Sequence, residues 1–410
     1  MVLIINNVCS LPARRCRATD VLCPSVPRVR FPFGFSAFHG PHSHDVKDAI
    51  HTEHGATFEA PRCKSACKGT TFCKSGNHFP RFFETFSRNL YLCGRKVPIC
   101  NMTLYNEYGI WLKNQLRVKS QKISLNAGFT CPNRDGRVGT GGCTYCNNQT
   151  FNPDYCITTK SVTQQLEEGK QFFARKYPDM KYLAYFQAYT NTYDALPNLI
   201  AKYEEALSVP DVIGLVIGTR PDCMPDALLD YLEELNQRTF LVVEYGIESV
   251  YDATLQRINR GHTHAQTVDA IQRTAARGIR TGAHLILGLP GESREAILAE
   301  TDILSSLPLT TLKLHQLQLI RGTRMAEEYE QNPSDFHLFT PDEYIDLVID
   351  FIERLRPDLV LERFVSQSPS SLLAIPGWGL KNHEFVDRLR LRMTQRQTHQ
   401  GRLHSISFNL

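Results

Sequence analysis

No stretch of the 410 residues approaches the roughly 18 to 20 uninterrupted apolar positions of a membrane-spanning helix, so the chain is read as soluble and without a membrane partner. An excess of one charge is also missing. Lys and Arg number 46 against 42 Asp and Glu, and the resulting +4 permits a nucleic-acid partner without arguing for one. Cysteine is scarce over most of the chain: of 13, only Cys131, Cys143, Cys146, Cys156 and Cys223 lie beyond residue 100. The other cysteines, Cys9 to Cys100, crowd the first hundred positions.

That first segment lacks sustained periodicity of either kind and scatters Pro, His, Arg and Phe, as in VPRVRFPFGFSAFHGPHSH. Cys63, Cys67, Cys73 and His78 miss the two-residue gap usual between paired zinc ligands. The early residues are Arg-rich and acid-poor, as in transit peptides, while the apolar run VLII is too short for a secretory signal. Residues 1–101 are therefore expected to be a disordered or spurious extension. Ordered sequence is expected to begin at MTLYNEYGIWLKNQL, with a core over 102–350 and a C-terminal extension over 351–410.

From Lys122 onward, near-continuous apolar runs alternate with amphipathic ones. KISLNAGF, KYLAYFQAY, DVIGLVIGT, TFLVVEYGI, RTGAHLILGL and TTLKLHQLQLI read as strands, with helical patterns between them. This rhythm predicts an α/β fold: a parallel sheet covered by helices through right-handed crossovers. Six units suit a partial barrel better than a closed one of eight.

In such a barrel, loops at the C-terminal ends of the strands converge on one mouth. The turn GFTCPNRDGRVGTGGCTYCNNQTF places Cys131, Cys143 and Cys146 there, directly after the first strand. Gln187, Tyr189, Thr190, Arg220, Asp222, Glu248 and His284 fall in or at the ends of later strands. Three soft thiolates suit zinc, copper(I) or iron and sulfide, and a cytoplasmic chain keeps them reduced. Zinc with three thiolates and a water is one reading, although no fourth Cys or His follows at zinc-ribbon spacing. A cubane iron–sulfur cluster on three cysteines, with one iron left open, is the other.

The spacing C-x11-C-x2-C, with Tyr145 before the last cysteine, resembles the cluster loop of radical S-adenosylmethionine (SAM) enzymes. CPNRDG, GGCTYCN, LERFVSQSP and PGWG are similar to the YhcC-like branch, which lies close to the radical half of the Elongator catalytic subunit. The resemblance runs from about Met102 to the C-terminus. It implies a partial (β/α)6 barrel and a 4Fe-4S cluster on Cys131, Cys143 and Cys146, whose open iron chelates SAM. Cleavage of SAM would yield a 5'-deoxyadenosyl radical, with flavodoxin or ferredoxin as electron donor.

Further roles follow from the resemblance alone. Tyr145 is expected beside the adenine, and Gln187 and Tyr189 stand where the family places a Gly-Gly-Glu motif on the amino group. Glu248 in EYGIES is expected on the ribose, Arg260 in LQRINRG on the SAM carboxylate, and His284 at a ribose contact. Gly218 replaces a family Glu. The substrate is unknown. RNA is one class, since the Elongator relative acts on tRNA and the stretch RLRLRMTQRQTHQGR is basic, but no acetyltransferase sequence follows the barrel. A non-catalytic metal-binding protein using the same cysteines is the alternative.

Overall fold

The structure, a computed structural model, describes residues 103–150, 152–174 and 177–404, together with the backbone of two short strands. Those strands, Leu90–Leu92 (β1) and Arg95–Val97 (β2), pair antiparallel. The expectation for the rest of residues 1–101 lies outside the described residues. Among the described residues, no helix is long and apolar enough to cross a membrane.

The six expected strands are all present: β3 (Ser120–Leu125), β4 (Lys181–Phe186), β5 (Val212–Thr219), β6 (Phe240–Glu248), β7 (Arg280–Leu287) and β8 (Thr311–Gln316). A seventh, β9 (Val360–Arg363), comes from the segment expected as an extension. All seven are parallel and lie in sequence order, β3 to β9. In a flat sheet the outer two would stand about 29 Å apart, six steps of about 4.8 Å. Yet Lys122 Nζ on β3 lies 2.7 Å from Glu362 Oε1 on β9. The sheet is therefore curled into a half-barrel whose edges meet through side chains.

Alternation along the strands assigns the two faces. Ile123, Leu125, Phe186, Ile217, Val243, Leu285 and Leu314 point outward into one large apolar core with the crossover helices. Burying these stems stabilises the fold by roughly 25 cal/mol per Å² of apolar surface removed from water. Two of the helices open on capping boxes, Thr263 with Gln266 and Thr340 with Glu343, which satisfy otherwise orphaned backbone N–H groups. Facing inward, Leu183, Tyr185, Val216, Phe240 and Val242 instead pack against Leu112 of the helix Tyr108–Leu116. That helix packs on the concave side toward the strands' N-terminal ends and contributes Tyr108 and Leu112 to the lining of the hollow.

The final helix, Asn382–Gln395, joins the helix Pro341–Ile352 through Phe385 on Tyr344. Arg392 and Arg396 pair with Asp346, Arg390 with Glu107 and Arg402 with Glu353. Most of the basic stretch noted in the sequence is thus matched by acids of the fold, and Arg388 is its exposed remainder.

Candidate active site

The turn carrying the cysteines is shaped by backbone chemistry before any metal is considered. The N–H groups of Arg134 and Asp135 bond Cys131 O at 2.8 and 3.2 Å, and Cys146 N bonds Cys143 O at 3.1 Å. Gly136, Gly141 and Gly142 take φ of 92°, 79° and 81°, a region that side-chain-bearing residues rarely adopt. Asn133, buried beneath the turn, donates to Asn259 O at 2.5 Å, while Asn259 Nδ2 donates to Gly142 O at 2.8 Å. Thr144 N bonds Ile258 O. The cysteine turn is thereby locked to the end of the short helix Asp252–Arg257 that follows β6.

Cys131, Cys143 and Cys146 are free thiols and line one cavity of about 970 Å³. Around sulfur the contacts are N–H donors: Arg260 Nη1 at 3.5 Å and Asn133 Nδ2 at 3.7 Å from Cys143 Sγ, and Asn148 Nδ2 at 3.9 Å from Cys146 Sγ. Burial pushes the Cys146 thiol up to about 11, and neighbouring Cys143 adds to the rise. As thiolates, the three would need cationic metal beside them, and the N–H donors suit anionic sulfur. Among the described residues, no three His, Cys, Asp or Glu side chains draw together as around one bound ion. Three soft thiolates with N–H donors beside them fit an iron–sulfur cluster held by three cysteines with one iron left open.

Arg260 is the group that joins this turn to the rest of the hollow. Only 7% exposed, it bonds Gly246 O at 2.5 Å through Nη2, which also lies 3.5 Å from Glu248 Oε1. Its Nε is buried without a partner, leaving an edge of the guanidinium for a further acceptor. A Cβ on Gly246 would stand 2.6 Å from Glu248 Oε1 and 2.7 Å from Arg260 Nη2, so glycine is what allows the two to approach. Arg220 braces the loop, donating to Arg260 O at 2.6 Å and gripping Asp222 with two nitrogens. Glu248 and Tyr189 sit at φ of 65° and 62°, backbone strain of the sort found at functional sites.

The other expected residues line the same cavity in different surroundings. The ring of Tyr145 lies against an apolar group that includes Ile258, Leu289 and Met325, while Gln187 accepts from Ser124 Oγ at 2.9 Å. Tyr189 N reaches Asn148 Oδ1 at 3.3 Å. His284 is drawn deeper, with Nε2 3.0 Å from Glu244 Oε2.

Glu244 belongs to an inner network that the motifs did not announce. Lys122 Nζ lies 2.8 Å from its Oε1 and Lys313 Nζ 2.6 Å from its Oε2, and both lysines also reach Glu362. Lys313 in addition touches Tyr185 Oη at 3.1 Å. Burial opposes the charge on Glu244, but the two lysines outweigh it and hold the carboxyl well below its usual range. Burial likewise opposes Lys122, whose two glutamates keep it protonated, and it pulls Lys313 below the ordinary lysine value. Lys122, Glu244 and Lys313 interrupt otherwise apolar strands at inward positions, which is the signal that marks them in the sequence.

A parallel half-barrel whose mouth carries three free cysteines beside an Arg–Glu pair has the make-up of a cofactor-binding site. Residues 133–302 match the Radical SAM superfamily and residues 309–395 its Radical_SAM C-terminal domain. The chain is similar to Uncharacterized protein YtqA of Bacillus subtilis, 35% identical over 73% of this chain and 92% of that one. Protein YhcC of Escherichia coli is also 35% identical, over 67% of this chain and 87% of that one. In fold it resembles the archaeal Methanocaldococcus infernus Elp3 with an N-terminal deletion, with a TM-score of 0.52 and 16% identity over 69% of this chain and 64% of that one. The protein belongs to the radical SAM superfamily, whose members use a 4Fe-4S cluster and SAM.

Proposed function

We propose that this protein is a radical SAM enzyme that cleaves SAM reductively and directs the resulting radical at a substrate held in the half-barrel. The observation that carries this reading is the convergence of Cys131, Cys143, Cys146, Arg260 and Glu248 on one cavity at the C-terminal ends of the strands. When bound, the cluster and SAM supply the electron transfer and the 5'-deoxyadenosyl radical. The chain supplies the rest. Cys131, Cys143 and Cys146 hold the cluster, and Arg260, with its free Nε, meets the SAM carboxylate. Glu248 accepts from the ribose hydroxyls, the Tyr145 segment borders the adenine, and Gln187 and Tyr189 lie on the amino-group side. His284, bonded to Glu244, faces the deeper half of the hollow. The helix Tyr108–Leu116 lays Leu112 against the inner face of the sheet and gives that part of the hollow an apolar wall.

The protein works in the cytoplasm with a low-potential donor of the flavodoxin or ferredoxin kind. RNA is retained as a substrate class on the strength of the Elongator-like resemblance. The test is anaerobic reconstitution followed by electron paramagnetic resonance with and without SAM. Iron incorporation, a signal altered by SAM, and release of 5'-deoxyadenosine under dithionite are the expected results. Tightly bound zinc without iron, or an iron–sulfur signal indifferent to SAM, would instead mean that the cysteines serve a non-catalytic metal-binding protein.

A further inference from the structure

The motif LERFVSQSP places Arg363 at the end of β9, and none of the roles above uses it. Its side chain lines the cavity yet makes no hydrogen bond or ion pair among the described residues. Its neighbours are different. Lys122 and Lys313 are matched by Glu244 and Glu362, whereas Arg363, exposed at the end of β9, has no acid partner among the described residues. On the adjacent strand β8, His315 lines the same cavity, with Nε2 buried and without a partner. Its ring lies 5.7 Å from that of His284. Burial, with His284 and Arg363 beside it, holds the imidazole neutral, so a ligand oxygen would be met by the tautomer bearing hydrogen on Nε2.

An exposed guanidinium without an acid partner and an orphaned buried ring nitrogen, on adjacent strands of one cavity, ask for the same ligand atom, an anionic oxygen. We infer that Arg363 and His315 form the substrate's anchoring site and recognise an oxyanion, a carboxylate or a phosphate, carried by the molecule on which the enzyme acts. This rests on the proposed function above in taking the cavity as the reaction chamber. It places the anchor on β8 and β9, at the edge of the sheet that curls round to meet β3.

The test is calorimetric titration of the full-length protein with inorganic phosphate and, separately, with succinate. The wild type should bind at least one of them, and the preferred one identifies the oxyanion. Arg363→Gln should weaken that binding by about tenfold, Arg363→Lys by less because charge survives without the fork, and His315→Leu by a few-fold. Iron content and SAM affinity should be unchanged in Arg363→Gln. Absence of binding of either anion to the wild type, or equal affinities for wild type and Arg363→Gln, would overturn the inference. Arg363-dependent anion binding in a protein that takes up no iron would instead sink the enzymatic reading and leave this site standing.

Discussion

Cys131, Cys143 and Cys146 at the mouth of the hollow have no partner thiol among the described residues, and Cys143 and Cys146 have N–H contacts at 3.5–3.9 Å to sulfur. At the floor, by contrast, Lys122, Glu244, Lys313 and Glu362 saturate one another through ion pairs of 2.6–3.3 Å. Both regions are polar and enclosed by the same sheet. The mouth is shaped by glycines and backbone bonds and leaves its side-chain donors open, as a site awaiting a ligand should. The floor spends its donors internally, so it acts as a rigid, electrically neutral base. Arg260 and His315, each with a buried nitrogen lacking a partner, mark where the open region extends downward.

The largest expected effect breaks the mouth. Cys131→Ala, Cys143→Ala or Cys146→Ala should abolish iron uptake after anaerobic reconstitution, read by iron content and absorbance, because two thiolates cannot hold the cluster. Cys156→Ser and Cys223→Ser should bind iron normally, since Cys156 is committed to Ser124 O and Cys223 lies off the turn. The mouth variants should change folding stability little beside that loss.

Next comes the floor, where the opposite pattern is expected. Glu244→Gln leaves two buried lysines short of an acid, a type of change that costs about 3–5 kcal/mol. Urea unfolding of the iron-free protein measures it, and a cost below about 1 kcal/mol would show that the network is not a rigid base.

Between the two regions, Arg260→Ala should weaken SAM binding by about 10- to 100-fold with the cluster still assembled, and Arg260→Lys should recover part of it. Gly246→Ala should give a smaller loss, by pushing Arg260 and Glu248 apart. Fluorescence titration with SAM ranks the three variants. Equal affinities across them would remove Arg260 from the cofactor site.

The smallest effect is on pH. Burial, aided by Arg260 and Arg220, holds His262 near 2, and His315 is likewise held well below the usual imidazole value of 6.5. Both rings stay neutral when folded but take up protons in the unfolded chain. Their contribution is therefore fully present above about pH 6.5 and is lost as pH falls below it, by up to about 1.4 kcal/mol per pH unit for each ring. Unfolding curves of the iron-free protein at pH 7 and 5.5 should show this slope, and His315→Asn should reduce it.

The six long strands, the parallel order and the cysteine turn were legible because each depends on local pattern: apolar runs of strand length, helical periodicity and close spacing along the chain. β9 was not, being four residues, VLER, with two charges. The pairing of Arg390, Arg392, Arg396 and Arg402 with acids was equally hidden, since Glu107, Asp346 and Glu353 lie far away along the chain. Glu244 and Lys313 could have been noticed as charges inside apolar strands, but not as partners. The sequence by itself determined the fold class, the superfamily and the glycine-rich turn that carries the three cysteines, which are matters of short-range order. Only the tertiary structure decided that Lys122 meets Glu362, that Gly246 makes room for Arg260, and that Arg363 stands beside His315 without a partner among the described residues. Those depend on curling β3 toward β9, an outcome of sheet twist and packing that no local stretch encodes.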